Sequence, residues 1–257
     1  MLRALADAAL AALLAPQCAV CRAVLDHPLD GAVCARCWAG VTRFSPPCCG
    51  RCGAPLPSRR VADAQEGRCR ECAVGLGVIA AARAIGPFSG ALADIIHALK
   101  YARRPSIARA LGHLMRHAAD DLGAGIDLVV PVPLHARRER ERGFNQAELL
   151  ARAIGPPVCL ALARRVNTAP QVSASGDERR TNMRGAFAAG PDAWRVAGRT
   201  VALVDDVLTT GATLSAAAEA LMAAAPARVV ALTAARAELA RPWSRRDAPA
   251  PADGPRR

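Results

Sequence analysis

The stretch from Val201 to Leu214, VALVDDVLTTGATL, places two adjacent carboxylates before a hydroxyl-rich turn. Four apolar residues precede the acids, as in a parallel strand buried on both faces. If the turn opens a helix, its backbone N–H groups and hydroxyls can bind a phosphate. Ribose hydroxyls would satisfy the acids, and a divalent cation would reduce their repulsion of the phosphate. The motif predicts a sugar-phosphate site that comprises Asp205, Asp206, Thr209, Thr210, Gly211, Ala212 and Thr213.

Two familiar nucleotide-binding motifs do not fit this stretch, and simple helix capping fits it poorly. No Gly-Lys-Ser/Thr of a P-loop and no G-x-G-x-x-G of a dinucleotide fold is present. Asp205 and Thr210 could cap the helix, but capping does not require two acids and three threonines.

A second set of chemical residues lies near the N-terminus, where nine of the ten cysteines precede residue 73. Eight of them form four C-x2-C pairs. The first two pairs together have the spacing of a four-thiolate zinc ribbon, and so do the last two pairs. The pattern predicts two structural zinc ions bound by Cys18, Cys21, Cys34, Cys37, Cys49, Cys52, Cys69 and Cys72. The glycine- and proline-rich segment has few apolar residues, so we expect metal to supply most of its folding free energy.

Alternatives to this zinc assignment remain open. Disulfides are disfavoured because no export signal is evident. Cys48 competes with Cys49 as a ligand, although Cys49 leaves Gly50 and Arg51 as the two-residue spacer. His27 could substitute for a cysteine, and Cys159 is explained as a buried small residue.

From about Gly77, apolar strands alternate with amphipathic helices. This order predicts an α/β domain with a parallel sheet flanked by helices and a ligand site at the carboxyl ends of the strands. Residues 157–165 are predicted to be an edge strand. The charged run over residues 135–146 is predicted to be a solvated loop, with a role in binding phosphate or single-stranded DNA left open. The resulting division is an amphipathic helix over 1–15, a double zinc ribbon over 16–76, the α/β domain over 77–238 and a disordered tail over 239–257.

The formal charge of +12 favours anionic ligands, although a GC-rich codon bias could also explain an arginine-rich chain with a single lysine, Lys100. No run of apolar residues is long enough to span a membrane. We therefore expect a cytoplasmic protein whose N-terminal helix packs on the rest of the chain, with peripheral contact to the inner membrane as the alternative.

The stretch VALVDDVLTTGAT resembles the signature of type I phosphoribosyltransferases, which bind 5-phosphoribosyl-1-pyrophosphate (PRPP). The segments HALKYARRP, VVPVPLHARRERERGFNQAELLA, RRVNTAPQ and RRTNMRGAF, together with the cysteine pairs, are similar to the ComF family of competence proteins over about residues 16–236. The resemblance implies a phosphoribosyltransferase-like, Rossmann-like fold preceded by a double zinc ribbon with four cysteines for each zinc ion.

The resemblance also implies roles for individual residues. Asp205 and Asp206 would bind the ribose hydroxyls, and the threonine turn the 5-phosphate of PRPP, with Mg²⁺ on its pyrophosphate. Residues 131–135 correspond to a pyrophosphate loop, and residues 167–183 to a loop that closes over the site. The candidates in and around these two loops are Lys100, Pro133, His135, Arg137, Arg138, Gln171 and Arg180.

The resemblance implies a protein that binds PRPP with Mg²⁺ and acts in DNA uptake during natural transformation. One alternative is an active PRPP-dependent transferase of the pentosyltransferase (glycosyltransferase) class in nucleotide or related metabolism; whether turnover occurs is left open. Another is a non-catalytic competence factor that binds single-stranded DNA or DNA-uptake proteins. Scarce aromatic residues speak against base stacking, for which Trp38, Phe44, Phe144 and Trp194 are the candidates. Glutamine-dependent amidotransfer is disfavoured because the chain starts with Met1 and Leu2 rather than a nucleophilic cysteine.

Overall fold

The computed structural model describes residues 7, 10, 13–64, 67–69, 76–122, 125–165 and 185–237. Cys72, Gln171, Arg180, the closing-loop segment and the tail lie outside these residues. The strands, in chain order, are β1 (Ala81–Pro87), β2 (Leu128–Pro131), β3 (Leu162–Arg164), β4 (Phe187–Ala189), β5 (Thr200–Leu208) and β6 (Arg228–Arg236). The α-helices are α1 (Ala35–Ala39), α2 (Arg59–Ala64), α3 (Gly90–Tyr101), α4 (Ile107–Ala118), α5 (Ala136–Arg142), α6 (Gln146–Ile154) and α7 (Ala212–Met222).

A four-stranded parallel sheet organises the α/β part, with the strand order β1-β6-β5-β2. Successive residues of β5 point to opposite faces. Ala202 and Val204 join the apolar core under α3, α4 and α6. Val201 and Leu203 join the core under α7. The sheet is therefore covered by helices on both sides, which confirms the predicted fold class.

Two segments differ from the sequence-based expectation. The charged run expected to be a loop is helix α5, which His135 caps at its start and Gly143 ends with a φ of 86°. Residues 157–165 do not form one edge strand, because only Val158 bridges Val129 of β2. Residues of β3 instead pair with β4 in a separate antiparallel sheet of two strands.

The zinc-ribbon segment packs on the edge of the main sheet. The N–H of Phe44 donates to the carbonyl of Ile85 at 2.9 Å, and the N–H of Ala82 donates to the carbonyl of Arg51 at 2.6 Å. Leu25 and Val33 belong to the same apolar core as α3. The segment thus gains stability from a shared core as well as from metal, and it satisfies backbone groups on the outer edge of β1.

Asp7 contacts the segment between the first two cysteine pairs. Its carboxylate accepts the N–H of Leu29 at 2.9 Å and lies 3.7 Å from the Nδ1 atom of His27. His27 is not among the residues grouped in the first described cysteine cluster. Within the described ranges, no helix combines the length and the apolar character that a membrane span requires.

Candidate functional site

The first cysteine cluster has the geometry of a tetrahedral metal site. The sulfurs of Cys18, Cys21, Cys34 and Cys37 all lie within 4.8 Å of one another. The Cys18–Cys37 sulfurs are 3.9 Å apart, and the Cys21–Cys34 sulfurs are 3.7 Å apart. Four thiolates around zinc at the usual bond length have sulfurs about 3.8 Å apart. The cluster therefore fits zinc.

The second cluster contains Cys49, Cys52 and Cys69 among the described residues. The sulfurs of Cys52 and Cys69 are 3.4 Å apart, and the N–H of Cys69 donates to the sulfur of Cys49 at 3.2 Å. Cys48 lies outside the cluster and donates its S–H to the carbonyl of Ser45. The described cysteines form no disulfide. Of the two neighbours, the structure thus brings Cys49 to the candidate metal site.

The two adjacent acids lie where β5 loses one neighbour. Pairing with β2 stops at Val204, whereas pairing with β6 continues to Leu208. Because neighbouring strand residues face opposite sides, Asp205 and Asp206 have different surroundings. Asp206 is buried and forms an ion pair with the ammonium group of Lys100. Asp205 accepts the N–H of Asp206 at 2.8 Å.

Burial and nearby charge shift two pKa values at this point. Burial raises the pKa of Asp205 to about 6, although Lys100, Arg164 and Arg142 all act to lower it. Burial lowers the pKa of Lys100 to about 8, partly opposed by the charge of Asp205. Pairs of titratable groups with pKa values displaced towards neutrality are typical of functional sites.

The threonine turn leads directly into α7. Gly211 is the N-cap of this helix with a φ of 80°, a conformation that favours glycine, and this residue makes no side-chain cap. The N–H of Ala212 donates to the hydroxyl of Thr210 at a long 3.4 Å. Thr209 is exposed, and Thr213 is half-buried. An uncapped helix start with surrounding hydroxyls is suited to bind a phosphate.

Asn145 holds the predicted pyrophosphate loop in place. This buried side chain donates to the carbonyl of Val132 at 3.1 Å and accepts the N–H of Ala147 at 3.0 Å, which caps α6. The Val132 N–H donates to the carbonyl of Val204 at 2.9 Å. The loop that contains Pro133 is therefore fixed next to the acids of β5. His135 uses its Nδ1 atom to cap α5, where it accepts the N–H of Arg137 at 3.2 Å.

A basic cleft of about 390 Å³ opens between the end of α3 and helix α5. The residues that line it are Lys100, Tyr101, Arg103, Arg138, Glu141 and Arg142. Glu141 accepts a hydrogen bond from Arg137 at 2.9 Å. Arg137 is thus engaged along the helix, whereas Arg138 lines the cleft. Four cationic side chains and one acid make the cleft suited to an anionic ligand.

The sequence did not assign Arg164 or Asn145 to the site, and it offered Arg142 only as one member of a charged run. The charges of Arg142 and Arg164 both lower the pKa of Asp205, and burial lowers the pKa of each arginine. Arg142 was visible as part of a charged run, whereas Arg164, on β3, lies in a segment for which the sequence indicated a strand and a family resemblance but no ligand contact. Only the folded arrangement brings Arg164 near Asp205.

Two family models match the chain. The double zinc ribbon domain matches residues 9–78, and the phosphoribosyl transferase domain matches residues 97–248, more than half of the chain. Together with the parallel sheet and the cysteine clusters, they define a phosphoribosyltransferase-domain protein with an N-terminal double zinc ribbon.

Within that class, the chain belongs to the ComF family. It is 32% identical over 216 residues to DNA utilization protein YhgH of Escherichia coli strain K12, covering 80% of this chain and 83% of that one. It is 32% identical over 212 residues to competence protein F of Haemophilus influenzae, covering 77% and 87%. A solved structure of the allosteric regulatory enzyme of purine biosynthesis matches at 22% identity with a TM-score of 0.35, over 54% of this chain and 30% of that one.

Proposed function

We propose that the protein binds PRPP with Mg²⁺ and acts in DNA uptake during natural transformation. The observation that carries PRPP binding is the Asp205–Asp206 pair beside the uncapped start of α7. The acids would accept hydrogen bonds from the ribose hydroxyls, and Thr209–Thr213 would bind the 5-phosphate. This assignment satisfies the carboxylates and the helix N-terminus with a single ligand.

The basic cleft supports a place for the pyrophosphate group. Lys100, Arg138 and Arg142 supply positive charge beside the acids, and Mg²⁺ would share the neutralisation of the phosphates. In a transferase of the pentosyltransferase class, an acceptor attacks the anomeric carbon while the bond to pyrophosphate breaks. Preformed positive charge stabilises such a leaving group. Gln171 and Arg180 remain our candidates in a closing loop.

The biological role rests on the relatives. Proteins similar over most of their length carry the words competence and DNA utilization in their names. A net charge of +12 is compatible with DNA as an additional ligand. We propose a cytoplasmic location, where incoming single strands and sugar phosphates would both be accessible.

Calorimetry with PRPP and Mg²⁺ tests the ligand. We expect the wild-type protein to bind, and the double variant Asp205→Asn, Asp206→Asn to lose at least about tenfold in affinity. Asp94→Asn, an exposed acid on α3, is the matched control and should bind as the wild type does. Undetectable wild-type binding contradicts the proposal, and equal binding by the double variant contradicts the role of the acids.

A pyrophosphate-release assay separates the transferase from a binding factor. Nucleobases, amines and single-stranded DNA serve as candidate acceptors with PRPP and Mg²⁺. Release that depends on an acceptor and on Asp205 supports turnover. PRPP binding without release, together with salt-sensitive DNA binding, supports the non-catalytic competence factor.

We further propose two structural zinc ions, with Cys72 completing the second cluster and residues 16–76 and 77–238 as the two units of the chain. Metal analysis should return about two zinc ions per chain. Cys49→Ser should lose about one of them, whereas the neighbouring Cys48→Ser should retain both. Loss of zinc from Cys48→Ser instead would reverse the ligand assignment.

A further inference from the structure

Tyr101 is an unusual aromatic residue in a chain whose aromatic content is only 3%. Of the stacking candidates taken from the sequence, Trp38 and Phe144 pack against the core. Tyr101 is 71% exposed and Trp194 is 76% exposed. Within the described part of the chain, these two are the aromatic side chains classed as exposed. Only Tyr101 lines the basic cleft.

The Tyr101 ring is oriented although it is exposed. The guanidinium of Arg142 lies over the ring at 5.6 Å from its centroid, within the range of a cation–π contact. The His97 ring contacts it from one turn earlier in α3, tilted by 57° at 5.8 Å. Arg142 is held in turn by Gln146 at 2.5 Å. An exposed but oriented ring can accept a flat ligand at a small cost in conformational entropy.

Further cationic groups line the cleft beside this ring. Arg103 and Arg138 line the same cleft as Tyr101. Arg103 donates to the carbonyl of Glu141 at 2.5 Å, which positions its guanidinium at the cleft wall. A volume of about 390 Å³ is within the range of small-ligand sites and accommodates one nucleotide unit. The combination of aromatic face and arginines is what single-stranded nucleic acid requires.

We propose that Tyr101 and Arg142 form a stacking platform for a base of single-stranded DNA, whose flanking phosphates bind Arg103 and Arg138. The inference deepens the proposed function, because it rests on a role in handling DNA and places the strand at the mouth of the sugar-phosphate site. Stacking tolerates any base, so the platform recognises single strands without sequence specificity. Bound PRPP shares the cationic groups of the cleft and therefore weakens DNA binding.

Binding of two labelled oligonucleotides tests the platform. One is a thymidine oligonucleotide of about 12 nucleotides, and the other is an abasic strand with the same number of phosphates. We expect the wild-type protein to prefer the thymidine strand by about tenfold, the value of one stacked base. Tyr101→Ala should lose this preference and keep its affinity for the abasic strand, whereas Tyr101→Phe should retain the preference.

Trp194→Ala is the matched control, because it removes an equally exposed aromatic outside the cleft and should bind both strands as the wild type does. An unchanged preference in Tyr101→Ala, or no preference in the wild type, overturns the stacking role. Equal affinity for thymidine monophosphate and for the thymidine strand overturns the assignment to a strand. Calorimetry of the wild type with PRPP is independent of these comparisons, so failure of PRPP binding contradicts only the sugar-phosphate proposal.

Discussion

Asp205 should lower the stability of the folded protein, and the change in the free energy of unfolding when it is replaced measures this effect. Burial raises the pKa of this carboxyl from 3.8 to about 6, even against the opposing charges of Lys100, Arg164 and Arg142. At 1.36 kcal/mol per pKa unit, the ionised form costs the folded state about 3 kcal/mol. Asp205→Asn removes the charge and keeps an oxygen that can accept the N–H of Asp206. We therefore expect the free energy of unfolding to rise by about 3 kcal/mol at pH 8.

The pH dependence identifies the cause. Because the folded-state pKa lies above the unfolded value, the folded protein binds more protons between pH 3.8 and about 6. Wild-type stability therefore falls as the pH rises through this window, and the full cost applies above it. The advantage of Asp205→Asn should shrink from about 3 kcal/mol at pH 8 to about half that value at pH 5. Asp94→Asn, an exposed acid, should change little at either pH.

Replacement of the neighbouring acid, Asp206, should instead lower the free energy of unfolding. Asp206 is the ion-pair partner of Lys100, whose side chain is only 16% exposed. Asp206→Asn removes the carboxylate in contact with the buried ammonium and leaves only the charge of Asp205 nearby, so we expect the free energy of unfolding to fall by about 1–3 kcal/mol at pH 7. Burial lowers the pKa of Lys100 to about 8, so this loss should shrink at pH 9, where the amine is neutral.

Urea unfolding of the zinc-loaded protein, followed by circular dichroism, measures these differences. Zinc retention is checked at each pH, and the comparison of variant with wild type removes effects common to both. Destabilisation by Asp205→Asn at pH 8, or a gain that does not change between pH 8 and pH 5, would refute the reasoning from burial.

Contacts at the site and between β1 and the ribbon segment lead to three further predictions. PRPP affinity should fall as the pH drops below about 6, since protonated Asp205 loses its charge. Calorimetry between pH 5 and 8 measures this dependence, and an affinity that does not change with pH contradicts the prediction. Asn145→Ala should lower the free energy of unfolding by about 1–3 kcal/mol and weaken PRPP binding, because two buried hydrogen bonds disappear; Asn145→Asp, which keeps the cap, should retain more stability. Gly86→Ala should lower the free energy of unfolding by about 1–3 kcal/mol and weaken zinc binding, because a Cβ there would lie 2.0 Å from the carbonyl of Thr42. Gly125→Ala, with open space around it, is the control for the unfolding and the zinc-binding measurements.

Elements with a strong apolar period could be predicted from the sequence. Leu92, Ile95, Ile96 and Leu99 lie on one helical face, and all four are fully buried in α3. The first half of the central strand β5, residues 201–204, is a continuous and buried apolar run, as a strand covered on both faces requires. In both segments, the local pattern reports the burial that the fold imposes.

Other features depend on contacts that no local pattern contains. The alternating charges of α5 indicate exposure to solvent but not backbone conformation. In the sequence, a solvated helix stabilised by the Arg137–Glu141 pair therefore has the same charge pattern as a solvated loop. Each strand of the β3–β4 pair is only three residues long. The role of Arg164 arises because the fold carries β3 towards Asp205, a residue far along the sequence.

Two arginines of the sheet form hydrogen bonds with the segment of the second cysteine cluster. Arg83 of β1 donates to the carbonyl of Gly50 at 3.1 Å and holds Asp121 with a bidentate pair. Arg236, at the end of β6, donates to the carbonyl of Cys52 at 3.0 Å.

Both arginines are buried, so each depends on a carbonyl that the second cysteine cluster holds in place. Arg236 also pairs in register with Leu208, the residue before the threonine turn. Zinc at the second cluster would therefore support the end of β6 beside the proposed sugar-phosphate site. Buried hydrogen bonds thus join the ribbon segment to strands β1 and β6 of the sheet.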